Sequence, residues 1–240
     1  MDLRTEAALA AKRLAAASCA GAVLGLLVGG VGGRLFMGLL ANLNPEDHGV
    51  ITSDGFPMGE FTTSGTIQLL LTGTALGVLG AGIYLALGGL APGPGWFRRA
   101  CVAVGGTVMV GAVIVHEDGP DFTLLEPTWA AIALTLSVPL LFLLLMPPVV
   151  DRAVRDDGWL MRGRWTWVAL VPWAFPWFPA TALFVAGWLL ARWAAPRLPA
   201  AGPWLARGVL VVLFVGGATT LASEIVAIYD TVGEGRYLLD

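Results

Sequence analysis

"AAASCAGAVLGLLVGGVGGRLFMGLLANL", residues 15–43, carries a single charge, Arg34, in an otherwise apolar and glycine-rich run. A helical crossing of a bilayer needs about 20 such residues. In hydrocarbon every backbone N–H and C=O must be paired within the segment, which leaves the helix as the assignment for a run this long. Five further runs have the same character, at roughly 64–90, 99–116, 128–150, 166–191 and 207–229. The chain therefore reads as an all-α polytopic transmembrane bundle of about six spans, forming one integral membrane domain over residues 1–240.

Composition agrees. Apolar residues are 57% of the chain and charged residues 13%, against roughly 25% charged in soluble domains. The mean hydropathy is +0.77. A soluble globule of this length would need a polar surface that these residues cannot supply. The net charge of −3 includes no basic patch of the kind that holds nucleic acid. Cys19 and Cys101 lie in different apolar runs and read as small buried hydrophobes, not as a disulfide. The stretch "LAAASCAG" has Lys12 and Arg13 before its Cys and the apolar run after it, so an uncleaved first span is expected.

Orientation follows the Lys/Arg asymmetry. Arg4, Lys12 and Arg13 precede the first run, Arg98 precedes the third with Arg99 next to it, and Arg152, Arg155, Arg162 and Arg164 follow the fourth. The linkers 44–63 and 117–127 hold no Lys or Arg. These two acidic loops are expected outside and the N-terminus in the cytoplasm, in a bacterial cytoplasmic membrane. The second half admits two paths. Six full crossings would place Arg192, Arg197 and Arg207 outside, against the rule. Alternatively Pro172, Pro176 and Pro179 fold 165–193 into a re-entrant hairpin, and the C-terminus lies outside. Residues 165–176 as helix reach only about 17 Å, short of the roughly 30 Å core. Trp165 and Trp167 at one end and Trp188 and Trp193 at the other resemble two interfacial belts, so six crossings is the preferred path.

Arg34 then falls near the outward end of the first span, where a long side chain can snorkel or meet Glu60, Glu117, Asp118 or Asp121 of the outer loops, in which Glu126 is a further acid. Glu224, the acid well inside the last run, pairs with Arg34 only if that helix runs outward. Gly21, Gly25, Gly29 and Gly33 line one face at four-residue spacing, and Gly73, Gly77 and Ala81 and then Ala103, Thr107 and Gly111 repeat the pattern. Such small-residue seams, glycine-zipper in pattern, allow close backbone approach, either inside one bundle or toward a partner or second copy.

The loops "HGVITSDGFPMGEFT" from His48 and "HEDGPDFT" from His116 resemble each other, which suggests a helical hairpin used twice. Asp54-Gly55 suits a tight hairpin turn, Thr62, Thr63 or Ser64 can cap the second span, and Pro127 suits the first turn of the fourth. Through "GVITSDGFPMGEFT" and "HEDGPDFTLLEP" the chain resembles a group of small actinobacterial integral membrane proteins over roughly residues 20–150. The resemblance implies the same membrane architecture and carries over no activity, substrate or site residue.

His48 and His116 among carboxylates are candidate ligands of a divalent metal, although neither belongs to a paired motif such as H-E-x-x-H. There is no G-x-S-x-G elbow and no phosphate-cradling loop with a following Lys. No cofactor is expected, and an enzyme is disfavoured. The leading expectation is a non-catalytic component of a membrane complex, with an accessory, assembly or sensing role. A small transporter or channel is the alternative, with Arg34, Glu224, Thr66, Gln68 and Thr72 lining its path.

Overall fold

The computed structural model describes residues 3–52, 55–118, 120–194 and 202–234. The first span is three consecutive helices: α1 (Leu3–Leu24), a π-helical stretch Gly25–Gly32, and α2 (Gly33–Leu43). The π-helical stretch, "GLLVGGVG", is half glycine, so little side-chain bulk resists the wider winding. The next elements are α3 (Thr63–Leu87), α4 (Gly95–Ile114), the short α5 (Pro120–Thr123) and α6 (Thr128–Ala153). Five helical stretches, Arg4–Leu43, Thr63–Leu90, Gly95–Ile114, Thr128–Ala153 and Trp204–Val232, are long and apolar enough to cross a membrane. The fold is a polytopic all-α transmembrane bundle, of up to six spans when one bent pair is counted.

That bent pair occupies the expected fifth run. After α7 (Trp159–Arg162) come a 3-10 stretch Trp165–Leu170, α8 (Val171–Ala174) and α9 (Phe178–Ala194). The helical axis turns by 95° between Trp165–Ala174 and Phe178–Gly187. Pro176 lies at the break, where it can neither donate a helical hydrogen bond nor accommodate the preceding turn. Thr181 Oγ1 donates to the carbonyls of Trp173 (2.8 Å) and Trp177 (3.1 Å), which satisfies acceptors near the corner. By contrast, Pro139, Pro147 and Pro148 are accommodated inside the single helix α6.

Pairwise contacts give the helix directions. Gly21 lies against Gly77 and Gly25 against Gly73, so α1 and α3 are antiparallel. Gly106 meets Leu143 and Gly111 meets Leu136, so α4 and α6 are antiparallel too. The last helix, α10 (Gly202–Glu234), follows a different rule: Gly105 faces Phe214, Met109 faces Gly217 and Gly111 faces Leu221. It therefore runs parallel to α4. Its first turns lie beside residue 90, where Arg207 Nε donates to the Leu90 carbonyl at 3.0 Å. Glu224, further along, reaches the backbone of Glu117 at the opposite face.

This corrects the preferred path of the second half. The end of α6 and the start of α10 lie at the same face, as the re-entrant alternative requires. Length and tryptophan placement allow for one kinked crossing, but the axis turns by 95° at Pro176. The side chains of Arg192, Trp188 and Trp193, and all of Arg197 and Asp54, lie outside the described residues.

One face carries Arg13–Asp156 (3.4 Å) and Arg98–Asp151 (3.5 Å), and Tyr84 donates to Asp151 at 2.9 Å. The other carries the two loops without Lys or Arg. The bundle interior is held by Ala17, Leu24, Val28, Ala81, Tyr84, Met146 and Val150. A second apolar cluster lies beneath the acidic loops, where Met58, Phe122 and Leu125 pack with Leu221 and Ile228 of α10.

Candidate functional site

The acidic face gathers most of the residues singled out in the sequence, and it forms an ordered cap. In the first loop, Gly49 N–H donates to Met58 O (2.9 Å), Met58 N–H to Val50 O (2.7 Å), and Thr52 N–H to Phe56 O (2.9 Å). Ile51 and Pro57 form an antiparallel bridge. Gly55 has φ +81°, the left-handed backbone expected for this turn. Thr62 is the cap of α3, its hydroxyl accepting from Gly65 N–H at 3.3 Å. Among its described residues the second loop has no such hairpin; it forms the helical turn α5, with Phe122 buried. The likeness of the two loops therefore ends at the sequence, because the second is too short for a strand pair and starts a helix at Pro120. Pro127 is the residue before α6, not in its first turn.

Arg34 engages the first loop. Its Nη2 donates to the backbone carbonyl of Glu60 at 3.2 Å, and its guanidinium lies 4.5 Å from the centre of the Phe61 ring. The partner is thus a carbonyl and an aromatic face, not the Glu60 carboxylate. Glu224 engages the second loop, accepting from Glu117 N–H at 3.2 Å with His116 Nδ1 4.0 Å away. Both intramembrane charges reach the acidic face, each on a different loop, and no ion pair between them occurs among the described residues.

The histidines also separate. His48 Nε2 is 3.0 Å from the Ala41 carbonyl, and its ring lies against the backbone of Gly59. His116 Nε2 meets the Val113 carbonyl. No group of three or more His, Cys, Asp or Glu that could hold a metal ion occurs among the described residues. Glu117, Asp118 and Glu126 are exposed, and Asp121 is half-buried.

The residue that joins the two loops has no counterpart in the sequence reading. Asn44 is 1% exposed. Its Nδ2 donates to Leu40 O at 2.9 Å, capping the end of α2, while its Oδ1 accepts from Glu126 N–H at 2.8 Å. A helix-ending Asn followed by Pro reads as an ordinary turn, and only the fold brings Glu126 to it.

The glycine seam is taken up inside the bundle. A Cβ on Gly21 or Gly25 would overlap the carbonyl of Gly77 or Gly73, and one on Gly73 would lie 2.6 Å from Gly30 N. A Cβ on Gly29 would lie 3.2 Å from Gly73 Cα, while one on Gly33 would meet only the Leu69 side chain, at 3.6 Å. Ala103, Thr107 and Gly111 are likewise buried. The polar residues of the supposed path are not gathered: Gln68 and Thr72 face outward from the bundle, and Thr66 donates to its own helix at Thr62 O.

No protein-family model, curated protein or solved structure matches the chain.

Proposed function

We propose that the chain is a non-catalytic component of a membrane complex, with an accessory, assembly or sensing role. It sits in a bacterial cytoplasmic membrane with its N-terminus inside, and belongs with the small actinobacterial membrane proteins that share its two loops. The observation that carries this reading is the destination of the intramembrane charges. Arg34 and Glu224 both end on cap loops, where they hold the loops to the helices. A solute pathway would instead turn such groups toward a passage between helices.

A second observation supports a partner. The most apolar window of α10 is only 6% buried within the bundle, against 56% for the first span. Gly208 and Gly216 on α10 have open space where a side chain would stand, whereas Gly21, Gly25, Gly29 and Gly30 of the first span meet α3 there. Lipid covers such a surface in a free subunit, and an accessory subunit offers it to another helix.

The test is purification from the native membrane in mild detergent. A second protein at fixed stoichiometry is the expected result. Recovery alone, together with solute or ion flux in vesicles containing only this chain, would overturn the reading in favour of transport.

A further inference from the structure

Independently of any protein partner, we infer that residues 158–167, "GWLMRGRWTW", form a binding site for the headgroup of an anionic phospholipid. Three indoles and two guanidiniums occur within these ten residues, and no acid does. Trp159 is 80% exposed, Trp165 87% and Trp167 41%, and Arg162 and Arg164 are exposed beside them. Five large polar-tipped side chains thus point away from the protein in one short stretch.

The stretch is nevertheless held firmly. Met161 and Thr166 are buried, and Thr166 Oγ1 donates to Leu160 O at 2.6 Å. Gly163 N–H donates to Trp159 O at 2.9 Å. The segment packs along α1, and just beyond it Trp173, 2% exposed, donates its indole N–H to Ser18 at 2.8 Å. The exposed groups therefore sit on a fixed backbone, so binding orders only their side chains.

Their level in the bilayer is also set. Trp96 and Trp204, each 71% exposed, lie in the first turns of α4 and α10 at this same face. Exposed indoles at helix ends mark the headgroup layer. There, guanidiniums donate to phosphate in paired fashion, and indoles cover the glycerol region. The acids nearest in sequence are Asp156, which takes Arg13 at 3.4 Å, and Asp157, which lines an open depression with Arg13, Asp151 and Arg155. Arg152 and Arg155 add further exposed positive charge at the end of α6. Charge and amphipathic shape together select a phosphate-bearing lipid without a compensating cation.

The experiment is native mass spectrometry of the full chain released from nanodiscs of equal phosphatidylglycerol and phosphatidylcholine. The wild type is expected to retain phosphatidylglycerol preferentially. Arg162→Gln with Arg164→Gln should lower that preference at least about fivefold, the contribution of one arginine near a lipid surface. Arg4→Gln with Arg99→Gln, equal in charge and exposed on the same face, should leave it unchanged. Trp159→Ala with Trp165→Ala should reduce retention of both lipids. No preference in the wild type, or an equal loss in the Arg4/Arg99 control, would overturn the site. Displacement of the lipid by millimolar inorganic phosphate would overturn its assignment to a lipid. Helical content and elution volume, expected to match the wild type, separate loss of lipid from loss of fold.

Discussion

At Arg34 the guanidinium reaches the carbonyl of Glu60 and covers the Phe61 ring, so the Glu60 side chain takes no part. Glu60→Gln is therefore expected to leave thermal stability in detergent unchanged. Arg34→Ala removes a charged hydrogen bond and a cation–π contact and should cost about 2 kcal/mol. Arg34→Lys keeps the charge over the ring but loses the planar fork, and should fall between the two. Asn44→Ala strands the Glu126 N–H beneath the cap and leaves the Leu40 carbonyl only its backbone donor, at an expected cost of about 1–3 kcal/mol. A shift in the melting midpoint checks each variant. At this scale the sequence marked Arg34 and Glu224 as residues that must find partners, because a charge in an apolar run is expensive. It did not reveal the partners. One is a backbone carbonyl, which every residue carries, and another is a backbone N–H at position 117. Asn44 escaped notice for the same reason: it is polar at a helix end, as such residues usually are, and its partner is 82 positions away.

Among the helices, the tightest junction is α1 and its π-helical extension against α3. Gly77→Ala would drive a methyl into the Gly21 carbonyl, and the backbones on both sides leave nothing flexible to yield. The expected loss is about 1–3 kcal/mol, seen as lower membrane accumulation and a lower melting midpoint. Gly216→Ala on α10 meets open space and should be silent in the isolated chain. If α10 docks a partner helix, the same substitution should lower recovery of that partner in a pull-down. Helix positions were legible because apolar runs have one stable form in hydrocarbon; the Thr62 cap and the turn at Gly55 were legible because their chemistry is local. The direction of α10 was not. Arg207 near its start and Pro176 argued for one path and the supposed tryptophan belts for the other, and the contacts that decide between them lie between α10 and α4, far apart in sequence.

For the whole molecule, the parallel course of α4 and α10 places the start of α1 and the end of α10 on opposite faces. Alkaline phosphatase fused ahead of Met1 and, separately, after Asp240 should give opposite answers, active at the C-terminal fusion and inactive at the N-terminal one. The same answer at both ends would refute the parallel arrangement. The contacts that fix α10 have a further consequence. Arg207 is held at the Leu90 carbonyl and Glu224 at the Glu117 N–H. Seventeen residues of helix separate them, about 26 Å of rise, somewhat less than the roughly 30 Å of an average hydrocarbon core. The apolar surface of α10 continues past Glu224 to Val232, so these two contacts set the register of α10 along α4, and the helix cannot slide past its neighbour without breaking both.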